Sequence, residues 1–371
     1  MTKQAVFDER IRKLRELMDK KQLDGLLLRK RRSFSWLTSG QSNYIVQTTE
    51  QGVSDFLIFS DRVICITNQM ESARIKEEEM NGLDVEWLTT EWHESVEPAI
   101  VARCQNKRMG TDTVQASSFL PDVLVLGTEI AKLSYVLNED EQNKYRWLCQ
   151  ASARAIEATC REIQPGMTEF QIQALLASKV MAHGINPQVL LVATDDRILN
   201  YRHPIPTAKK LDKYAMLVLC GEKFGLVANV TRFVHFGPLP EEIRVNKAKL
   251  AQIDVSMNAA TRPGKAICEV FNTGIESYRQ MGFPDDWRYL HQGGPTGYAS
   301  REFLATSESP GVVQLHQAFA WNPAIRGIKS EDTILVGEQA NEFLTYTGEW
   351  GYLLVERDGV TYKRPDVLVL S

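Results

Sequence analysis

Long apolar runs are missing from this chain, and so is any surplus of positive charge. No uninterrupted apolar stretch approaches the ~20 residues that a membrane-spanning helix needs, so no membrane span is expected. Lysine and arginine number 43 against 47 aspartates and glutamates, a formal net charge of −4. With no cationic excess to neutralise phosphates, nucleic-acid binding is not expected either. One basic cluster, Arg29-Lys-Arg-Arg32, stands apart and reads as a solvated face that ends a strand. Cysteines are few and scattered (65, 104, 149, 160, 220 and 268), with no C-x-x-C pair. Most sit in apolar patterns, which argues against a disulfide framework and for buried thiols in a reducing cytoplasm. Cys220 reads as a packed strand residue rather than a nucleophile. The amino terminus lacks the positive segment and apolar core of a signal peptide. Few prolines (14) in 371 residues that are 43% hydrophobic and 24% charged leave an ordinary globular chain, long enough for two cores.

What is present is a succession of regular elements. Phe7, Ile11, Leu14 and Met18 recur at helical spacing on an otherwise charged segment. Leu23–Leu28 reads as a buried strand, and 56–59 with 63–66 as a hairpin turned at Ser60-Asp61. Helix is predicted for 69–79 and 94–104, with a strand at 85–88. This alternation predicts a small α/β domain over residues 1–135. A second domain is expected over 136–371. It opens on Asn138-Glu-Asp-Glu-Gln, an acidic helix start suited to the positive end of the helix dipole.

The second half carries an internal repeat. Gln164-Pro-Gly-Met-Thr-Glu opens a helix expected to end at Gly184, and Arg262-Pro-Gly-Lys-Ala-Ile opens another expected to end at Gly282. In both, eighteen residues separate the Pro-Gly glycine from the terminal one. Thr168 and Gln171 have the spacing of a capping box. A longer helix precedes each unit, and strands ending in a hairpin follow, at 216–236 and 314–336. Two copies of helix–helix–strands predict a pseudo-twofold α+β domain, with any site between the two sheet halves.

The stretches that carry chemistry are Asn200-Tyr-Arg-His-Pro, Asn229-Val-Thr-Arg, His291-Gln-Gly-Gly, Trp321-Asn-Pro and Gly327-Ile-Lys-Ser-Glu-Asp-Thr-Ile. In order and spacing, residues ~140–365 resemble the pita-bread fold shared by aminopeptidase P, prolidase, methionine aminopeptidase and creatinase. The first ~135 residues resemble, more weakly, the amino-terminal domain of aminopeptidase P and creatinase. In the metallopeptidases of that family two aspartates, a histidine and two glutamates hold two divalent ions. The resemblance places Val218 and Asn229 at the aspartate positions, His291 at the histidine, and Asn322 and Glu331 at the glutamates. Valine has no donor, and the asparagines offer only neutral carbonyls, too little negative oxygen to offset dehydration of two hard cations. No metal site and no cofactor are therefore expected.

Creatinase, a member of the same family, hydrolyses a C–N bond without metal through a histidine in a His-x-Pro setting, which His203-Pro-Ile-Pro resembles. The resemblance implies His203 as proton carrier, with His291 and Glu331 as catalytic partners. Without a cation beside it, Glu331 is expected to be partly protonated by desolvation. Asn229, Tyr298, Arg301, Asn322 and Arg326 are the expected substrate contacts, with Arg301 as a carboxylate anchor. Thr231 stands where creatinase has a glutamate that helps hold creatine, so creatine itself is not the expected substrate. The leading expectation is a cytoplasmic, homodimeric, metal-independent hydrolase of a small C–N compound (an amide, amidine or guanidino compound), with creatinase-like chemistry. Two others stand beside it: a non-catalytic pita-bread binding protein, and an atypical Xaa-Pro aminopeptidase or dipeptidase.

Overall fold

The computed structural model, which describes residues 2–371, divides between Ser134 and Tyr135 into two units. In the amino-terminal unit the helix Lys3–Lys21 buries Val6, Phe7, Ile11, Leu14 and Met18, the predicted stripe. It stands beside a six-stranded sheet ordered Glu86–Thr90, Val63–Asn68, Gln51–Phe59, Gly25–Lys30, Met109–Thr111 and Leu124–Val125. The hairpin 51–59/63–68 and the pairing of 25–30 with 51–59 are antiparallel, and the remaining neighbours are parallel. Apolar strand residues such as Leu27, Leu57, Ile64 and Ile66 meet Ile100 and Cys104 of the helix Glu97–Cys104 in one core. The basic cluster departs from expectation. Arg29 is buried, paired with Asp55 at 3.1 Å, while Asp112 accepts from the backbone N–H groups of Arg29 and Lys30. A guanidinium that ends a core strand must bring its counter-ion with it.

The carboxy-terminal unit is built twice over. The helix Glu139–Glu162 starts on a full capping box between Asn138 and Glu141 and buries Leu148, Cys149, Ala153, Ile156 and Cys160. Gly166 adopts φ 92° and breaks the chain, and Thr168 with Gln171 caps the next helix, Glu169–Met181. Glu241–Ala260, Gly264 at φ 84° and Ile267–Gln280 repeat the plan. The second copy has Ala266 at its N-cap and no side-chain cap.

Each helix pair covers a four-stranded sheet. In the first, Asn186–Thr194, Tyr214–Lys223 and Leu226–Phe236 run antiparallel, and Leu368–Leu370 adds a parallel edge. In the second, Gly293–Thr296, Ala318–Trp321, Asp332–Leu335 and Glu342–Phe343 are antiparallel throughout. The hairpin 214–236 turns at Phe224-Gly225, both with positive φ (59° and 73°), the two-residue turn that matches strand twist. Gly221 lies within the strand, ahead of the turn. There it lets the strand lie close to Ser152 and Ile185, each 2.9 Å from where a Cβ would stand.

The sheets meet where 226–236 runs beside 332–335. Thr231 N–H donates to the Glu331 carbonyl at 3.1 Å, and the Thr333 hydroxyl both accepts from Asn229 N–H and donates to Asn229 C=O. This is the expected pseudo-twofold α+β arrangement, and the seam is where the candidate residues gather.

Candidate active site

Strand alternation decides which side chains reach the seam. Cys220 pairs with Asn229 and Val218 with Thr231, so these four share one face of the first hairpin. In the second sheet Trp321 pairs with Asp332, and Ser330 N–H donates to Pro323 C=O, which sets Asn322 opposite Glu331. Gly293, at φ 92°, lets Asn322 fold back. A Cβ there would stand 2.7 Å from Asn322 Oδ1 and 2.1 Å from the Ala320 carbonyl.

Glu331 is the electrostatic centre. It is buried, with Arg301 Nη2 2.8 Å from Oε1, Lys329 Nζ 2.8 Å from Oε2, and the Thr231 hydroxyl donating to Oε2 at 2.7 Å. Burial alone would raise its pKa. The Lys329 and Arg301 cations, with the hydrogen bonds from Lys329 and Thr231, outweigh that and hold it down to about 2. The expectation of a partly protonated Glu331 is thereby corrected: it does have cations beside it. Lys329 was not among the expected site residues. Its signal was nonetheless in the sequence, because positions two apart on an extended segment share a face.

His291 precedes the strand 293–296, and its ring centroid lies 5.6 Å from that of His203. Desolvation, then Arg301 and Lys329, push His291 down to about 4, with Glu331 opposing. His203 is also lowered, first by desolvation and then by Lys329. Both imidazoles are therefore neutral at physiological pH. His291 Nδ1 is buried without a hydrogen-bond partner.

The segment that carries His203 is pinned at both ends. Asp195 takes φ 54°, and its carboxylate accepts from the backbone N–H groups of Asp212, Lys213 and Tyr214 at 2.9–3.0 Å. Glu169, fully buried, accepts from Thr194 N–H at 2.9 Å and from Thr207 N–H and Oγ1 at 2.8 Å, and pairs with Arg197. A residue at a helix start is thus the anchor of the histidine loop.

Other expected contacts are placed differently. Tyr298 is buried and its hydroxyl donates to Glu141 at 2.7 Å, so it braces the helix 139–162 instead of meeting a substrate. Arg326 is exposed in the turn between Ala324–Ile325 and Ile328–Lys329, and the structure does not bring it to Glu331. Arg301 is at the seam, paired through Nη2 with Glu331 and with its Nε left without an acceptor. Asn229 is fully buried, with Nδ2 donating to Val227 C=O and to Thr296 Oγ1, which leaves Oδ1 without a partner. Asn322 Oδ1 is likewise buried and unpartnered.

Directly behind Glu331, and on the opposite face, Asp332 joins the two halves. Arg232 spans Asp332 (3.0 Å) and Glu157 (3.1 Å), while Arg364 spans Asp332 (2.7 Å) and Asp254. All five side chains are buried, and the carboxylates come from the equivalent helices 139–162 and 241–260.

Comparison with known proteins agrees with this architecture. Residues 143–338 match the metallopeptidase family M24, and residues 10–138 match the creatinase/prolidase N-terminal domain. An uncharacterized peptidase of Staphylococcus saprophyticus is 22% identical over 225 residues, 58% of this chain and 64% of the relative. The match thus spans less than two thirds of that relative's length. The prolidase of Pyrococcus horikoshii superposes with a TM-score of 0.79 at 16% identity, over 95% of this chain and 100% of that one. The N-terminal domain of a FACT complex subunit from chickpea (Cicer arietinum) superposes with a TM-score of 0.73 at 10% identity, over 93% and 97%. The last two likenesses concern the fold alone. The chain belongs to the metallopeptidase family M24.

The family implies a metal pair, and the residues present do not fit one. Val218 supplies no donor, Asn229 and Asn322 only neutral amides, and both Glu331 oxygens are already engaged by cations. Among the described residues, no three His, Cys, Asp or Glu side chains converge as a metal site would require.

Proposed function

We propose that this member of metallopeptidase family M24 is a metal-independent hydrolase of a small C–N compound. The observation that carries the reading is the approach of His203 and His291, ring centroids 5.6 Å apart, beside a carboxylate saturated by Arg301 and Lys329. A neutral His203 takes a proton from water as the water oxygen bonds to the substrate carbon. The same proton passes to the leaving nitrogen as the C–N bond breaks. Arg301 and Lys329, fixed by Glu331, supply positive charge where the substrate oxygen becomes negative, an arrangement that needs no reorganisation during reaction. Glu331 positions these cations and donates no proton. His291, its Nδ1 unpartnered, offers a hydrogen bond to substrate.

The test is turnover of small amides, ureas and amidines by the wild type, with and without chelator, and by His203→Ala. Chelator is expected to change nothing and His203→Ala to lower turnover by roughly 10²- to 10⁴-fold. Full activity in the variant removes the mechanism, and stoichiometric metal with chelator-sensitive activity restores the Xaa-Pro peptidase alternative. A second reading, binding without catalysis, is favoured by the shared fold of the FACT subunit domain. Wild-type protein that binds these compounds and turns none over would establish it.

A further inference from the structure

The pocket's charges and its orphaned hydrogen-bonding atoms narrow what it accepts. Two cations, Arg301 and Lys329, face a single anion, Glu331, and the charges acting on His203 are these same three. Every Glu331 oxygen already has a cationic partner, so Glu331 keeps none for a positively charged ligand. At the positions that could have supplied one, the chain has Val218, Asn229, Thr231 and Asn322, all neutral. Several atoms are left open. Arg301 Nε is a buried donor with no acceptor, Asn229 Oδ1 and Asn322 Oδ1 are buried acceptors with no donor, and His291 Nδ1 is unpartnered beside them. The orientation of Asn229 is set by Nδ2 donating to Val227 C=O, so its oxygen calls for an N–H or O–H from elsewhere. Asn229 is less than 1% exposed and Asn322 1%, too deep for bulk water to satisfy them freely.

We propose, building on the hydrolase reading, that the ligand is a carboxylic acid whose C–N group is uncharged, a ureido or acylamino acid. Its N–H groups donate to Asn229 and Asn322, and its carboxylate offsets the surplus charge of Arg301 and Lys329. The same site discriminates against guanidinium and free ammonium groups, which bring a third cation beside Arg301 and Lys329 while both Glu331 oxygens are engaged.

A pair of near-isosteric acids tests this. N-carbamoylglycine and guanidinoacetate differ in a urea oxygen against a guanidinium nitrogen, and N-carbamoylglycinamide removes the carboxylate charge. By titration calorimetry on the full chain, N-carbamoylglycine binds at least roughly tenfold tighter than either of the others. Asn229→Asp, which adds an anion, shifts the preference toward guanidinoacetate. Guanidinoacetate binding as tightly as N-carbamoylglycine, or no binding of any of the three, overturns the proposal. The two readings fail separately. N-carbamoylglycine bound but not cleaved leaves the ligand assignment standing and counts against hydrolysis. Guanidinoacetate cleaved without binding of N-carbamoylglycine does the reverse.

Discussion

The two halves of the carboxy-terminal repeat share a plan and divide the chemistry unequally. The first hairpin, 214–236, brings Val218, Asn229 and Thr231 to the seam and no formal charge. The second half brings His291, Arg301, Lys329 and Glu331. Behind the seam the symmetry survives, since Glu157 and Asp254 on equivalent helices hold Arg232 and Arg364 against the shared Asp332. The lesson is that packing and reactivity answer to different constraints. A buried ionic network tolerates no missing member, whereas pocket-lining residues can lose their charges if the remaining ones are rebalanced. Lys329 and Arg301 against Glu331 are that rebalancing.

The sharpest way to break the comparison is at its shared member. Asp332→Ala strands two buried arginines and should cost ~3–5 kcal/mol in denaturant unfolding, among the largest effects of any single change here. A loss under ~1 kcal/mol would mean that the network does not join the halves. At the seam, His203→Ala should lower turnover by roughly 10²- to 10⁴-fold. Glu169→Gln, which loosens the histidine loop, should lower kcat more than it raises KM. A KM effect alone would argue that the loop only admits substrate.

A smaller effect tests the link between the halves at Glu331 itself. Thr231→Val removes one hydroxyl from a buried carboxylate and should cost about 1–3 kcal/mol. The pH dependence of stability should follow the same centre. Glu331 is held down to about 2 from an ordinary 4.5, so its stabilisation is fully present above 4.5 and is lost as pH falls toward 2. His291, lowered from 6.5 to about 4, adds a loss that begins earlier, because the unfolded imidazole protonates below 6.5 while the folded one resists. Stability titrations of Glu331→Gln and His291→Gln should each lose their own part of that acid limb. The least effect belongs to the cap that the second half lacks. Ala266→Ser should stabilise by about 0.5–1 kcal/mol, bringing the second helix start level with Thr168 in the first.

Much of the fold was legible residue by residue. The acidic helix start at Asn138, the capping box at Thr168, the paired Pro-Gly breaks and the apolar stripe from Phe7 to Met18 are local signals, and local backbone preferences honoured them. The site was legible only in part. His203 and His291 do meet, but Tyr298 turned to Glu141 and Arg326 stayed in an exposed turn. The ionisation expected of Glu331 was wrong because its two cations come from different directions. One lies two residues away on the same extended segment, and the other thirty residues earlier in the chain.

By itself the sequence determined the repeat, the family and the absence of anionic oxygens at three of five ligand positions, because each depends only on which residue stands at a counted place. Tertiary structure alone decided the charge state of Glu331 and the neutrality of the two histidines. It also decided that Asn229 and Asn322 keep oxygens without partners. Those properties depend on distance and on exclusion of water, and neither exists until two sheets close on one another.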